Sequence, residues 1–216
     1  MDAYYLKSDF LILTLALPVI IGASRFRLLD KGSKIIFYIT VLCLVSESLA
    51  YLMAVKYRNN MVVYNLNNLL EVFLTCFYFN IIIDRFRKKN IGRLIGIFSL
   101  VVWTINILFF QSINSIISYF LFYQALVTVA MSLTALSTFL KPGDRRELKK
   151  EVHFWFPVIL IFCWSMTYLL FSLVKFYSSR LREEAPEVIM ALYVVSIVTN
   201  MAFAFVFYYY PKLRRS

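Results

Sequence analysis

Seven long runs of apolar residues alternate with short polar stretches: Tyr5–Ser24, Lys34–Val55, Met61–Ile83, Arg93–Phe110, Ile113–Leu140, Val152–Phe176 and Glu187–Tyr210. A helix needs roughly 20 mainly apolar residues to cross the hydrocarbon layer of a bilayer, and each run is near or above that length. Strands of a membrane barrel need only about 9–11 residues and alternate in polarity, which these runs do not. The pattern predicts an all-α, polytopic membrane protein, a seven-transmembrane-helix bundle forming a single domain over residues 1–216. The connections are short and polar, as in Arg25–Ser33 and Lys141–Glu151. Only Gln111 and Ser112 separate the fourth run from the fifth, which predicts a tight antiparallel pair there.

Composition agrees with this reading. The chain is 61% hydrophobic with a mean hydropathy of +0.73, against about 45–50% apolar residues in soluble domains. The net charge of +11 would point to nucleic acid in a soluble protein. Here the basic residues sit between the apolar runs, so they read as loop charges that meet anionic lipid headgroups, and no nucleic-acid partner is expected. Cys43, Cys76 and Cys163 lie in different runs without a CxxC neighbour, so neither a zinc site nor a disulfide framework is expected.

Lys and Arg also set a direction. One set of loops, with the tail, carries Arg25, Arg27, Lys31 and Lys34, then Arg85–Arg93, Lys141–Lys150 and Lys212–Arg215. It holds 17 basic residues, against 6 in the opposite set. Retention of basic loops in the cytoplasm places the N-terminus outside and the C-terminus inside, which agrees with an odd number of spans. Gly22-Ala23-Ser24 after an apolar run resembles a signal-peptide cleavage site, but the cluster of Arg and Lys follows that run instead of preceding it, so the first run reads as a span. Tyr4 and Tyr5 outside, with Phe154-Trp155-Phe156 and Tyr208-Tyr209-Tyr210 inside, mark the interfaces, and Lys175 snorkels to the outer headgroups. Pro18 and Pro157 are expected to kink their helices, and Pro211 to end the last one. Gly92 with Gly96, and Ala125, Thr128, Ser132 and Ala135, read as close-packing surfaces.

Candidate chemistry concentrates on two carboxylates. Counting about 1.5 Å per residue from the middle of each run puts Glu47 and Glu71 at nearly one depth, close to the centre of the bilayer. A carboxylate there costs on the order of 2.5–3.5 kcal/mol to insert, so both should face the bundle and find partners. At 100° per residue, Tyr64, Asn67, Asn68, Glu71, Thr75 and Tyr78 fall within about 60° of one direction, while Asn65 and Asn80 point elsewhere. Cys43, Glu47 and Tyr51 share a face of the second run. Asn106, Gln124, Trp164, Ser165, Thr167, Tyr168 and Asn200 add polar groups at a similar or more external depth. The candidate ligand-binding or proton/cation site is therefore Glu47, Glu71, Asn67, Asn68, Tyr51, Tyr64, Gln124 and Asn200, in a pocket weighted toward the outside. No Lys or Arg reaches that depth, so at least one of the two acids is expected to be protonated at neutral pH, the alternatives being a bound cation or a cationic ligand. A structural tie between helices, a ligand site and a proton path all remain open at this point. His153, the single histidine, lies at the cytoplasmic interface, too far along its helix to join the acids.

The run Tyr64-Asn65-Leu66-Asn67-Asn68-Leu69-Leu70-Glu71 resembles a segment of a group of small bacterial seven-helix membrane proteins. The resemblance implies a multi-pass protein of the bacterial inner membrane and singles out Tyr64, Asn65 and Glu71. It implies no activity.

The first functional reading is a ligand-binding or sensory/signalling membrane module with a cytoplasmic or membrane signalling partner. A small-solute or cation/proton-coupled transporter and a structural or assembly subunit are the alternatives. Nothing matches HExxH, GxSxG or a P-loop, and no nucleophile–base pair is visible, so the reading leans away from an enzyme. No metal site and no cofactor are expected. The last run has no lysine to anchor a retinal.

Overall fold

The computed structural model describes residues 2–140, 151–176 and 186–213, and every regular element among them is an α-helix. In chain order these are α1 (Asp2–Ser24), α2 (Lys31–Tyr57), α3 (Met61–Ile82), α4 (Asp84–Lys89), α5 (Ile91–Phe109), α6 (Ser118–Phe139), α7 (Val152–Phe176) and α8 (Pro186–Leu213). The side chains of Tyr4, Tyr5 and Lys175, and the basic stretch 141–150, lie outside the described residues.

Among the described residues, five helices are long and apolar enough to cross a membrane: Lys31–Tyr57, Ile91–Phe110, Ser118–Phe139, Val152–Val174 and Glu187–Tyr210. In α1 the apolar helix Phe10–Ser24 is shorter. α3 has 22 residues, but three Asn, a Glu and a Thr in its first four turns dilute its hydropathy. The outer surface is apolar, with Leu13, Leu94, Leu108 and Phe205 each more than 60% exposed. Gln124, Thr128, Ser132 and Thr75 are fully buried. A water-soluble domain arranges these residue types the other way round. The chain is a multi-pass, all-helical membrane protein.

The helices alternate in direction. Their ends fall into a basic end, with the α1–α2 turn, α4 and the start of α7, and an opposite end, with the α2–α3 and α5–α6 connections. α1 packs on α2 and α8, α7 on α6 and α8, and α3 on α2, α5 and α6. Asp30 caps α2, its Oδ1 accepting from the Ser33 backbone N–H at 2.7 Å. Arg58, with φ 56°, ends the same helix in the left-handed conformation, its N–H reaching the Ala54 carbonyl.

Three sequence expectations change. The α5–α6 connection runs from Phe110 to Ile117, so the helix expected from Ile113 starts at Ser118. Side chains hold the chain out of the helix: the Asn114 N–H donates to Ser112 Oγ (3.2 Å), and Ser115 Oγ donates to the Ser112 carbonyl (2.9 Å). Gln111 then closes the start of α6, accepting from the Tyr119 N–H and donating to Ser118 Oγ. With the longer connection, α5 packs mainly on α3 and touches α6 only sparsely, not as a tight pair. Finally, α8 continues through Pro211 to Leu213 instead of stopping at the proline. Pro18 and Pro157 both lie inside unbroken helices.

Close approach of α3 and α5 depends on Gly92. A Cβ there would fall 2.6 Å from the Asn80 Cβ and against the Cys76 carbonyl, so only glycine fits. Asn80, 3% exposed, accepts from the Gly92 N–H at 3.1 Å. Asn65 is the matching anchor at the opposite end. Its Nδ2 donates to the Ile113 carbonyl (2.7 Å) and the Ser115 carbonyl (2.8 Å), and its own carbonyl accepts from Trp103 Nε1 (3.1 Å). Asn65→Ala strips two carbonyls of their donor, and is expected to cost about 1–3 kcal/mol. Denaturation in detergent micelles checks this, and an unchanged unfolding curve would contradict it.

Candidate functional site

The stripe read from the sequence of α3 faces the bundle interior and divides into three levels. In the first turn, the Tyr64 hydroxyl donates to Glu47 Oε2 of α2 at 2.9 Å. One turn on, Ser46 Oγ of α2 donates to Asn67 Oδ1 at 2.8 Å. These two contacts fix the register of the antiparallel pair. They set Glu47 opposite residues 64–66 of α3, nearly two turns before Glu71, so the acids stand roughly 8–10 Å apart along the bundle. Equal counting from each run's middle had put them side by side. Cys43, one turn before Glu47, stands at the level of Glu71, and its thiol lies within electrostatic reach of both carboxyls.

At the second level the Trp164 indole Nε1 of α7 is turned toward the Glu71 carboxyl, its polar neighbour. Cys163 lies within electrostatic reach of the same carboxyl. Around this level the bundle holds polar atoms that are buried and unpartnered: Thr75 Oγ1 on α3, and Gln124 Oε1 and Nε2, Thr128 Oγ1 and Ser132 Oγ on α6. α3 and α6 run the same way, and Cys76 Sγ lies 3.8 Å from Met131 Sδ. That contact puts Thr75 between the turns of Thr128 and Ser132.

Of the other residues named from sequence, Asn68 and Tyr51 are half-buried on the turns next to Glu71 and Glu47. Asn200 is elsewhere: its Nδ2 donates to Thr14 Oγ1 at 3.4 Å and ties α8 to α1. Asn106 serves the α5–α6 connection through Gln111 (3.3 Å). Ser165 and Tyr168 face outward. Two surface grooves, of about 440 Å³ between α5 and α6 and about 520 Å³ between α6 and α7, have apolar walls. Neither is lined by Glu47 or Glu71, and only Trp164 belongs both to a groove and to the surroundings of Glu71.

The third level, at the basic end, holds residues that sequence reasoning missed. His153 Nε2 lies 2.7 Å from Asp30 Oδ2, and its Nδ1 lies 3.4 Å from the hydroxyl of Tyr78, the last member of the α3 stripe. The Asp30 N–H donates to the Tyr210 hydroxyl of α8 at 2.9 Å. Gly32 leaves room for the imidazole, since a Cβ there would fall 2.9 Å from its Cε1. Asp30 thus joins the α1–α2 turn to α3, α7 and α8. The available signal was an Asp in capping position at the same end as the single His, but their separation of 123 residues hides the pairing. The lone His reads as an interfacial residue from its own neighbours.

Partial burial of the Asp30 carboxyl works to raise it. Hydrogen bonding and charge from His153, with the Ser33 N–H, overcome that and hold it well below the usual value of 3.8. A lowered carboxyl adds stability that is present above its unfolded value and is lost as the pH falls toward the folded one. Asp30→Asn is expected to lower the Tm of detergent-solubilised protein at pH 7, with the gap to wild type narrowing below about pH 4. Equal gaps at pH 3 and pH 7 would contradict this. No protein-family model matches the chain, and neither a curated protein nor a solved structure is similar to it.

Proposed function

We propose that the chain is a seven-span module of the bacterial inner membrane that binds a small polar ligand at Glu71, and that it works in sensing or signalling. α1 and α3 are the two further spans, the N-terminus is outside, and the C-terminus is cytoplasmic. Three features support the topology: the excess of Lys and Arg at one end, the antiparallel packing of α3 against the span-length helices α2 and α5, and the length of α3, about 33 Å at 1.5 Å per residue. The basic end, with Arg85, Arg87, Lys88 and Lys89 exposed on α4, offers a surface to anionic lipid headgroups and to a signalling partner.

One observation carries the ligand reading. Thr75, Gln124, Thr128 and Ser132 bring buried donors and acceptors to one region without pairing them with each other. A polar core that serves only to tie helices together saturates such groups, because each one left unpaired costs about 1–3 kcal/mol. The chemistry favours a ligand that donates hydrogen bonds and carries positive charge, such as a small ammonium compound. α3 and α6 contain no Lys or Arg, α2 has none between Lys34 and Lys56, and Glu71 is the acid at that level.

Native mass spectrometry after mild detergent extraction, with thermal-shift titration of small ammonium compounds, tests the reading. A bound species or a saturable rise in Tm is expected. Glu71→Gln is expected to weaken binding about tenfold or more, in line with the roughly 1.5–3 kcal/mol of a hydrogen bond to a charged group. A wild-type protein that retains nothing and responds to no compound, or a Glu71→Gln variant that binds as well as wild type, would reject it.

A further inference from the structure

The α3 stripe does not stop at the ligand level. Tyr64, Asn67, Glu71, Thr75 and Tyr78 recur every three or four residues, so they line one face of the helix from its first turn to its last. Each step meets a group that can carry or hold a proton. Glu47 bonds to Tyr64 at the opposite end. Ser46 bonds to Asn67. Thr75 is fully buried with a free Oγ1, and the free hydroxyls of Thr128 and Ser132 on α6 bracket its level. Tyr78, also fully buried, approaches His153 Nδ1, and His153 Nε2 meets Asp30, whose side chain is 39% exposed at the basic end.

We propose that this stripe is a proton path through the bundle, with Glu47 and Glu71 as its carboxyl sites and Tyr78, His153 and Asp30 as its relay to water at the basic end. The proposal goes beyond the ligand reading and does not require it. His153 suits the relay because its two ring nitrogens face different partners, Asp30 on one side and Tyr78 on the other, so a proton taken up at Nε2 leaves from Nδ1. Tyr78 accepts that proton as its own O–H passes inward to water held by Thr75, Thr128 and Ser132, and that water protonates the Glu71 carboxylate. Every relay group finishes with the protons it began with. Glu71 has gained one, and water at Asp30 has lost one. Glu71 then gives that proton through water at the Asn67–Ser46 level to the Glu47 carboxylate, and Glu47 loses it to water at the opposite end, so that both acids finish as they began.

Among the described residues, the groups that face this path are these. Around His153 they are Asp30 from the α1–α2 turn, Tyr78 from α3 and, behind Asp30, Tyr210 from α8. Around Glu71 they are Cys43 and, through it, Glu47 from α2, with Cys163 and Trp164 from α7. α6 contributes the uncharged Gln124, Thr128 and Ser132. No Lys or Arg of α3 or α6, and none of α2 between Lys34 and Lys56, stands on the route to repel a proton.

The full chain reconstituted in liposomes with an internal pH dye, under a valinomycin-imposed potassium potential and without added ligand, tests the path. Wild-type vesicles are expected to take up protons several-fold faster than protein-free vesicles. Glu71→Gln and His153→Gln are expected to fall to the protein-free rate while remaining monodisperse. The conservative Thr75→Val, which keeps the side-chain shape and loses only the hydroxyl, is expected to slow uptake about tenfold. Wild-type uptake no faster than protein-free vesicles, or His153→Gln or Glu71→Gln uptake equal to wild type, overturns the path. Ligand binding measured on the same His153→Gln protein separates the two readings, because His153 lies at the basic end, away from Glu71. Intact binding together with a wild type that does not conduct would sink the proton path alone.

Discussion

Hydrocarbon offers no hydrogen-bond partner, and the fold follows from where the chain places the helix that needs partners most. α3 carries three Asn, a Glu, a Thr and two Tyr on the turns between Tyr64 and Tyr78. It can lie at membrane depth only if other helices surround it. α2, α5 and α6 pack along it, and α7 meets it through Trp164 at Glu71 and His153 at Tyr78. Its modest hydropathy and its central position are therefore one fact. The helices around it turn Leu, Ile and Phe outward, which gives the bundle its apolar surface.

The two ends of α3 are fastened in different ways. At the opposite end Asn65 grips the α5–α6 connection through two backbone carbonyls, while Gln111 closes the start of α6. At the basic end Asn80 and Gly92 lock α5 in place, and Asp30 gathers the α1–α2 turn, α7 and α8. Asn65, which the resemblance singled out beside Tyr64 and Glu71, belongs to this fastening and not to the acids. The helical period had placed it off the acid stripe, and the structure gives it a partner there.

What could be read from the sequence was what depends on local pattern. Apolar runs gave the helices, Lys and Arg gave the two ends, and the 100° step of an α-helix gave the α3 stripe. What could not be read depends on contacts between distant residues. Counting from the middle of each run aligned Glu47 with Glu71, whereas the register of α2 on α3 is set by Ser46 against Asn67. The start of α6 slipped because Ser112, Asn114 and Ser115 bond to nearby backbone and each other, a competition invisible to a hydropathy count. Asp30 and His153 looked ordinary because each is polar at an interface, and only folding brings them within 2.7 Å.

The distribution of unpaired polar atoms separates a site from a strut. Apart from Ser33 Oγ, Asn106 Oδ1 and Trp164 Nε1, which is turned toward Glu71, the buried side-chain atoms left without partners among the described residues belong to Thr75, Gln124, Thr128 and Ser132. All four sit between the two fastened ends, on α3 and α6, which touch each other. A purely structural network would have paired Gln124 with Thr75 or Glu71. Both the amide nitrogen and the oxygen of Gln124 are instead free in a side chain with no exposed surface. The fastened ends flank that region, and Glu71, bordering it, is the one acid on α3. Rigid ends and an unsaturated middle are what a helix bundle requires if something polar is to enter, or pass through, its centre.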